Sequence, residues 1–73
     1  MNSKLVDDTI EALWSSPYLL VFTNEELAED HIYSIEELNN LLKYIRVANN
    51  FHFIINGIEA DYAKCEMKVY FKY

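Results

Sequence analysis

The sequence predicts a small single α+β domain, with an N-terminal helix and a central helix over 34–48 packed on an antiparallel sheet of three to four strands. The chain has 73 residues, which suffice for one domain spanning 1–73. Apolar residues make up 52% and aromatic residues 15%, a composition typical of a folded chain. Segments with helical spacing dominate up to residue 48 and alternating segments follow, which favours separate helices and an antiparallel sheet.

The first predicted helix covers 3–15, because Val6, Ile10, Leu13 and Trp14 fall on one apolar stripe. Pro17 ends this helix, and it pushes the residue before it toward extended geometry. The segment 18–22 is short and apolar at every position. This pattern predicts a central strand that is covered on both faces.

Two capping boxes predict the next two helices. Thr23 precedes Glu26 by three residues, and Ser34 precedes Glu37 by three, so each pair can satisfy orphan backbone N–H groups reciprocally. The first box opens a short helix that ends near Asp30; the competing interpretation is a long acidic hairpin loop. The second opens the helix over 34–48, whose apolar stripe is Ile35, Leu38, Leu41, Leu42, Ile45 and Ala48.

Asn56 and Gly57 form the dipeptide most typical of a two-residue type I′ hairpin turn. We expect this turn to join strands over 51–55 and 58–62, with His52 opposite Asp61. The alternation slips before Cys65, which indicates a bulge or a break near Ala63. The tail then alternates to the last residue, which predicts an edge strand that buries Cys65.

Charge is unevenly distributed along the chain, whose net charge is -6. Residues 1–42 carry a formal charge of -8, and residues 43–73 carry +2. Such a front half repels nucleic acid and membrane surfaces, which are both anionic, and attracts basic surfaces. We therefore expect a protein partner with a basic surface, no direct nucleic-acid binding and no membrane binding.

Motifs for catalysis are absent from the sequence, and its single glycine argues against a backbone phosphate cradle. Glu29, Asp30, His31, His52 and Cys65 are of metal-ligating types but lack the paired spacings of a zinc site. We expect no enzymatic activity, no cofactor and no metal site. The lone cysteine and the absence of a signal peptide or an apolar span predict a cytoplasmic protein.

The predicted partner-binding residues are exposed acids, together with two tyrosines that lie off the apolar faces of their elements. They are Asp7, Asp8, Glu11, Glu25, Glu29, Asp30, Glu36, Tyr44 and Tyr70. The alternative is that the acids only stabilise helix N-termini through the helix dipole.

The sequence thus favours a small acidic inhibitor that occupies a basic, nucleic-acid-binding surface of its partner. In size and composition it is similar to the small acidic anti-restriction and anti-CRISPR proteins of phages and plasmids, although no motif carries that likeness. The alternative function is a structural or regulatory homodimer joined through the C-terminal strand.

Overall fold

Three helices and a three-stranded antiparallel sheet form the fold in the computed structural model, which describes residues 3–73. The elements in chain order are α1 (Lys4–Leu13), β1 (Leu19–Thr23), α2 (Asn24–Glu29), α3 (Ile35–Ala48), β2 (Ile54–Asp61) and β3 (Glu66–Lys72). The strand order is β1–β3–β2. The predicted α+β class is confirmed, with three strands.

Each helix begins at a hydroxyl residue that accepts a hydrogen bond from the backbone N–H three residues later. The acceptors are Ser3, Thr23 and Ser34, at distances of 3.1, 3.2 and 3.1 Å. Glu26 Oε1 accepts from the Thr23 N–H at 2.9 Å, which completes the capping box of α2. The stretch after β1 is therefore a helix, and the hairpin-loop interpretation is wrong.

The core lies between the helices and one face of the sheet. Leu13 of α1, Leu27 of α2 and Leu42 of α3 are buried in the same cluster as the strand residues Val69 and Phe71. The strand register explains this inner face, because Val69 lies opposite both Leu20 and Ile58, and Phe71 lies opposite Ile55. Side chains opposite one another on neighbouring strands share a face.

The outer face of the sheet carries no buried residue. Its central row is Leu19, Tyr70 and Gly57, and the next row is Val21, Lys68 and Glu59. The segment read as a strand covered on both faces is thus an edge strand with one open face. Of its two apolar outer positions, Leu19 is half-buried and Val21 is exposed.

The hairpin turn predicted at Asn56 and Gly57 is wrong. Residues 62–65 form the turn, and Asn56 is instead a bulge within β2, between the pairs Ile55–Phe71 and Gly57–Tyr70. The physical reason is burial: the observed register places Ile55 and Ile58 opposite Phe71 and Val69 on the core face. The expected pairing of His52 with Asp61 does not occur, because Asp61 pairs with Glu66.

The C-terminal strand is central and not at the edge of the sheet. β3 pairs with β1 on one side and with β2 on the other, so neither of its edges is free to pair with a second copy. Cys65 was expected to be buried in this strand, but it lies exposed in the turn before it, with φ of 53°. The shifted hairpin explains both corrections.

Candidate functional site

One end of the molecule, here called the acidic end, brings together the first turns of α1 and α3, all of α2, Asp30 and the 62–65 turn. Ser3 Oγ donates a hydrogen bond to the Asp30 carboxylate, which joins the start of α1 to the end of α2. The Asn24 N–H donates to the Cys65 carbonyl at 2.9 Å, which joins the start of α2 to the turn. Segments distant in sequence therefore meet around α2.

A groove separates α1 from α2 and β1 within this end. Asp8 lines it from α1 and Glu26 lines it from α2, over a floor that includes Leu5 and Phe22. Lys4 Nζ lies 3.4 Å from an Asp8 carboxylate oxygen, and both side chains are largely exposed. An exposed pair of this kind contributes little stability, and it offsets the Asp8 charge in part, so Glu26 is the acid lining the groove that forms no ion pair within residues 3–73.

A larger cleft of about 540 Å³ lies between the segment that leads into α3 and the β2–β3 turn. One wall contains Tyr33, Ile35 and Glu36, and the other contains Asp61 and Tyr62. The remaining lining residues are Asn24, Ile32, Ser34, Ala60, Glu66 and Met67. The cleft thus combines an apolar interior with carboxylate residues.

The predicted acids are partly assembled by the fold. Asp8 lines the groove, Glu36 lines the cleft, and Asp30 bonds to Ser3. Glu25 and Glu29 are exposed on α2 between these two features. Asp7 is exposed in the first turn of α1, and Glu11 is exposed one turn beyond Asp8, farther from the acidic end.

The two predicted tyrosines do not lie with the acids. Tyr44 is exposed, as expected, but it is two turns along α3 from Glu36, about 12 Å at 1.5 Å per residue. Tyr70 is half-buried on the outer face of the sheet, between Leu19 and Gly57. The expectation that Tyr70 is among the most exposed tyrosines is wrong, because β3 is the central strand.

Sequence reasoning missed four residues of the cleft: Tyr33, Asp61, Tyr62 and Glu66. Asp61, Tyr62 and Glu66 were missed because a hairpin turn at Asn56 and Gly57 places all three in strands and not beside a turn. One signal was present: aspartate is favoured at the first position of a turn, where its side chain accepts from a later backbone N–H. Asp61 Oδ1 accepts from the Lys64 N–H at 3.1 Å in this way.

The opposite end of the molecule, here called the aromatic end, comprises Trp14, Tyr18, Phe51, Phe53 and Tyr73. The Trp14 and Phe51 rings meet edge to face with centroids 4.9 Å apart. Tyr73 donates its hydroxyl to the Pro17 carbonyl at 2.8 Å, and partial burial of this phenol raises its pKa. Trp14, Tyr18 and Tyr73 remain exposed. Aromatic side chains of this kind are enriched at protein–protein interfaces.

No cluster of three or more His, Cys, Asp or Glu side chains within residues 3–73 has an arrangement that could hold a metal ion. Over the same residues, no helix has the length and apolar character needed to cross a membrane. Comparison of the chain with protein-family models, with curated proteins and with solved structures finds no match.

Proposed function

We propose that this protein is a small non-enzymatic binding protein whose acidic end occupies a basic surface of a partner protein. The observation that carries the proposal is the convergence of carboxylates from α1, α2 and the start of α3, together with Asp61 and Glu66 on either side of the 62–65 turn. Lys4 and Lys68 lie 3.4 and 3.7 Å from aspartate carboxylates, so the charges within each pair offset one another, and the exposed Lys64 of the 62–65 turn adds one positive charge to this end.

A surface that normally binds nucleic acid is the partner chemistry that we favour. Such a surface is built to contact about one phosphate charge per 1.7 Å of duplex axis. The exposed acids Asp7, Asp8, Glu25 and Glu29 lie on the two helices that the Ser3–Asp30 hydrogen bond joins, and they supply negative charge at one end of the molecule. The protein then acts as an inhibitor of the anti-restriction or anti-CRISPR kind, because a filled basic site cannot bind its nucleic acid.

Calorimetry with paired charge variants tests this proposal. The acidic-end variant carries Glu25→Gln and Glu29→Gln, which leave the capping residue Glu26 unchanged. The control carries Glu59→Gln and Asn40→Lys, at exposed positions outside the acidic end. Both variants reduce the net charge from -6 to about -4, so total charge alone cannot separate them.

Partners captured from host lysate at low salt supply the titrant. We expect the acidic-end variant to bind about fivefold to tenfold more weakly than wild type, because each exposed ion pair contributes up to about 1 kcal/mol. The control should bind within about twofold of wild type, and added duplex DNA should compete. Equal affinities of the two variants, or an affinity that does not fall with salt, would contradict the proposal.

A further inference from the structure

The cleft beside α3 has features of a pocket for a single side chain. Its volume of about 540 Å³ is within the range of binding cavities. Tyr33 and Tyr62, which line it from separate segments, are 66% and 86% exposed. Two exposed rings beside an apolar interior leave room for a partner group that contacts aromatic faces.

The electrostatic character of the cleft is one-sided. Three acidic residues line it, Glu36, Asp61 and Glu66, and no Lys or Arg does. Asp61 is engaged by the Lys64 N–H at 3.1 Å and by Lys68 Nζ at 3.7 Å. Glu66 lies opposite Asp61 and two residues from Lys68, so its side chain belongs to the outer face of the sheet. The Glu36 carboxylate takes part in neither ion pair found within residues 3–73 and can therefore pair with a cation.

We propose that this cleft receives an arginine side chain from a basic segment of the partner protein, an inference that rests on the proposed function. A guanidinium is planar, so it stacks on a tyrosine ring while its N–H groups pair with carboxylates. Lysine fits less well, because its ammonium is a compact and strongly hydrated charge. The cleft thus anchors the partner, and the acids of α1 and α2 provide longer-range attraction.

Amide NMR of the labelled protein during titration with a hexa-arginine peptide locates the contact. We expect the largest shifts at the backbone amides of 32–36 and 60–67, the two segments that form the cleft walls. A hexa-lysine peptide should bind several-fold more weakly, since it loses the stacking on tyrosine. Free L-arginine should bind more weakly than the peptide, because its own carboxylate is repelled by the acidic end.

Matched variants assign the affinity to the cleft. Tyr62→Ala and Glu36→Gln should each weaken hexa-arginine binding by about threefold, the size of an exposed cation–π contact or surface ion pair. The controls are Tyr44→Ala, which removes another exposed tyrosine outside the cleft, and Glu59→Gln, which removes a carboxylate outside it. Both controls should bind as wild type does.

The outcomes distinguish the cleft from the wider proposal. Shifts confined to the amides of α1 and α2 would overturn the arginine pocket and leave the acidic end as a binding surface. No shift at low salt anywhere on the acidic end would overturn both. Free L-arginine that binds as tightly as the peptide would show a small-molecule site and overturn the assignment to a partner protein.

Discussion

The helix starts at the acidic end are fixed by contacts between residues close in sequence, whereas the aromatic end is organised by contacts between residues far apart in it. At the acidic end, Ser3, Thr23 and Ser34 each cap a helix through the N–H three positions later. At the aromatic end, Trp14 meets Phe51, and the Tyr73 hydroxyl reaches Pro17 across 56 positions. The helix starts therefore depend on local hydrogen bonds, and the aromatic end depends on packing between distant segments.

This difference separates stability from binding. Phe51, Phe53 and Phe71 form a chain of ring contacts that runs from the surface into the core, with Phe53 and Phe71 both buried. Burial of large aromatic side chains is a major source of stability in a small domain. The carboxylates of Glu25 and Glu29 are exposed and belong to no such network. They are therefore free to change without loss of the fold, which is what a binding surface requires.

The largest expected effect is on the aromatic end. Phe53 is 4% exposed, and its ring meets Phe71 edge to face with centroids 5.1 Å apart. Phe53→Ala should lower the free energy of unfolding by about 3 to 5 kcal/mol, because it removes buried apolar area and leaves a cavity. Urea denaturation followed by circular dichroism measures this loss.

Phe53→Leu serves as its control, since leucine retains much of the buried volume and should cost clearly less than alanine. At the acidic end, the Glu25→Gln and Glu29→Gln variant should change stability by no more than about 0.5 kcal/mol per site. A cost for Phe53→Ala below about 1 kcal/mol would contradict the expected difference between the two ends. A cost for the Glu25→Gln and Glu29→Gln variant that exceeds the cost of Phe53→Ala would contradict it as well.

An intermediate effect is expected at the cap of α2. Thr23→Ala removes the hydroxyl that accepts from the Glu26 N–H at 3.2 Å and should cost about 1 kcal/mol. Thr23→Ser keeps the oxygen and should cost about half as much or less. Chemical denaturation of both variants separates the cap from the strand. Equal costs would show that Thr23 contributes through its place in β1 and not through capping.

The elements that the sequence predicted correctly are those encoded by local signals. The capping-box patterns at Thr23 and Ser34 located the starts of α2 and α3 to within one residue, and the apolar stripe located α1. The box itself forms only at Thr23, because Glu37 Oε1 accepts from the Tyr33 N–H and the Ser34 hydroxyl and not from the Ser34 N–H. These signals act over one helical turn, so a single sequence contains all of them. The same local signals predicted the acids at the start of α1, α2 and α3, which form much of the acidic end.

The elements that could not be predicted depend on pairing between distant segments. The order of the strands and the bulge at Asn56 follow from which register buries Ile55, Ile58, Val69 and Phe71 together. Two apolar alternations fit more than one register, so local turn signals decided the prediction and decided it wrongly. The cleft was missed for the same reason, because its second wall exists only once the turn lies at 62–65.

The smallest expected effect tests that register directly. Gly57 lies in β2 opposite Tyr70, its φ is not positive, and an added Cβ would meet nothing within 4 Å. Gly57→Val should therefore stabilise the protein by about 0.5 to 1 kcal/mol, because it restricts the unfolded chain and places a β-branched residue beside an aromatic one. In a type I′ turn the same change would cost more than about 1 kcal/mol, since valine resists positive φ.

Cys65→Val is the matched control: Cys65 is exposed in the observed turn with φ of 53°, so valine there should destabilise. Opposite signs for the two variants in urea denaturation support the observed hairpin, and a loss at Gly57 would return the turn to Asn56 and Gly57 and remove one wall of the cleft.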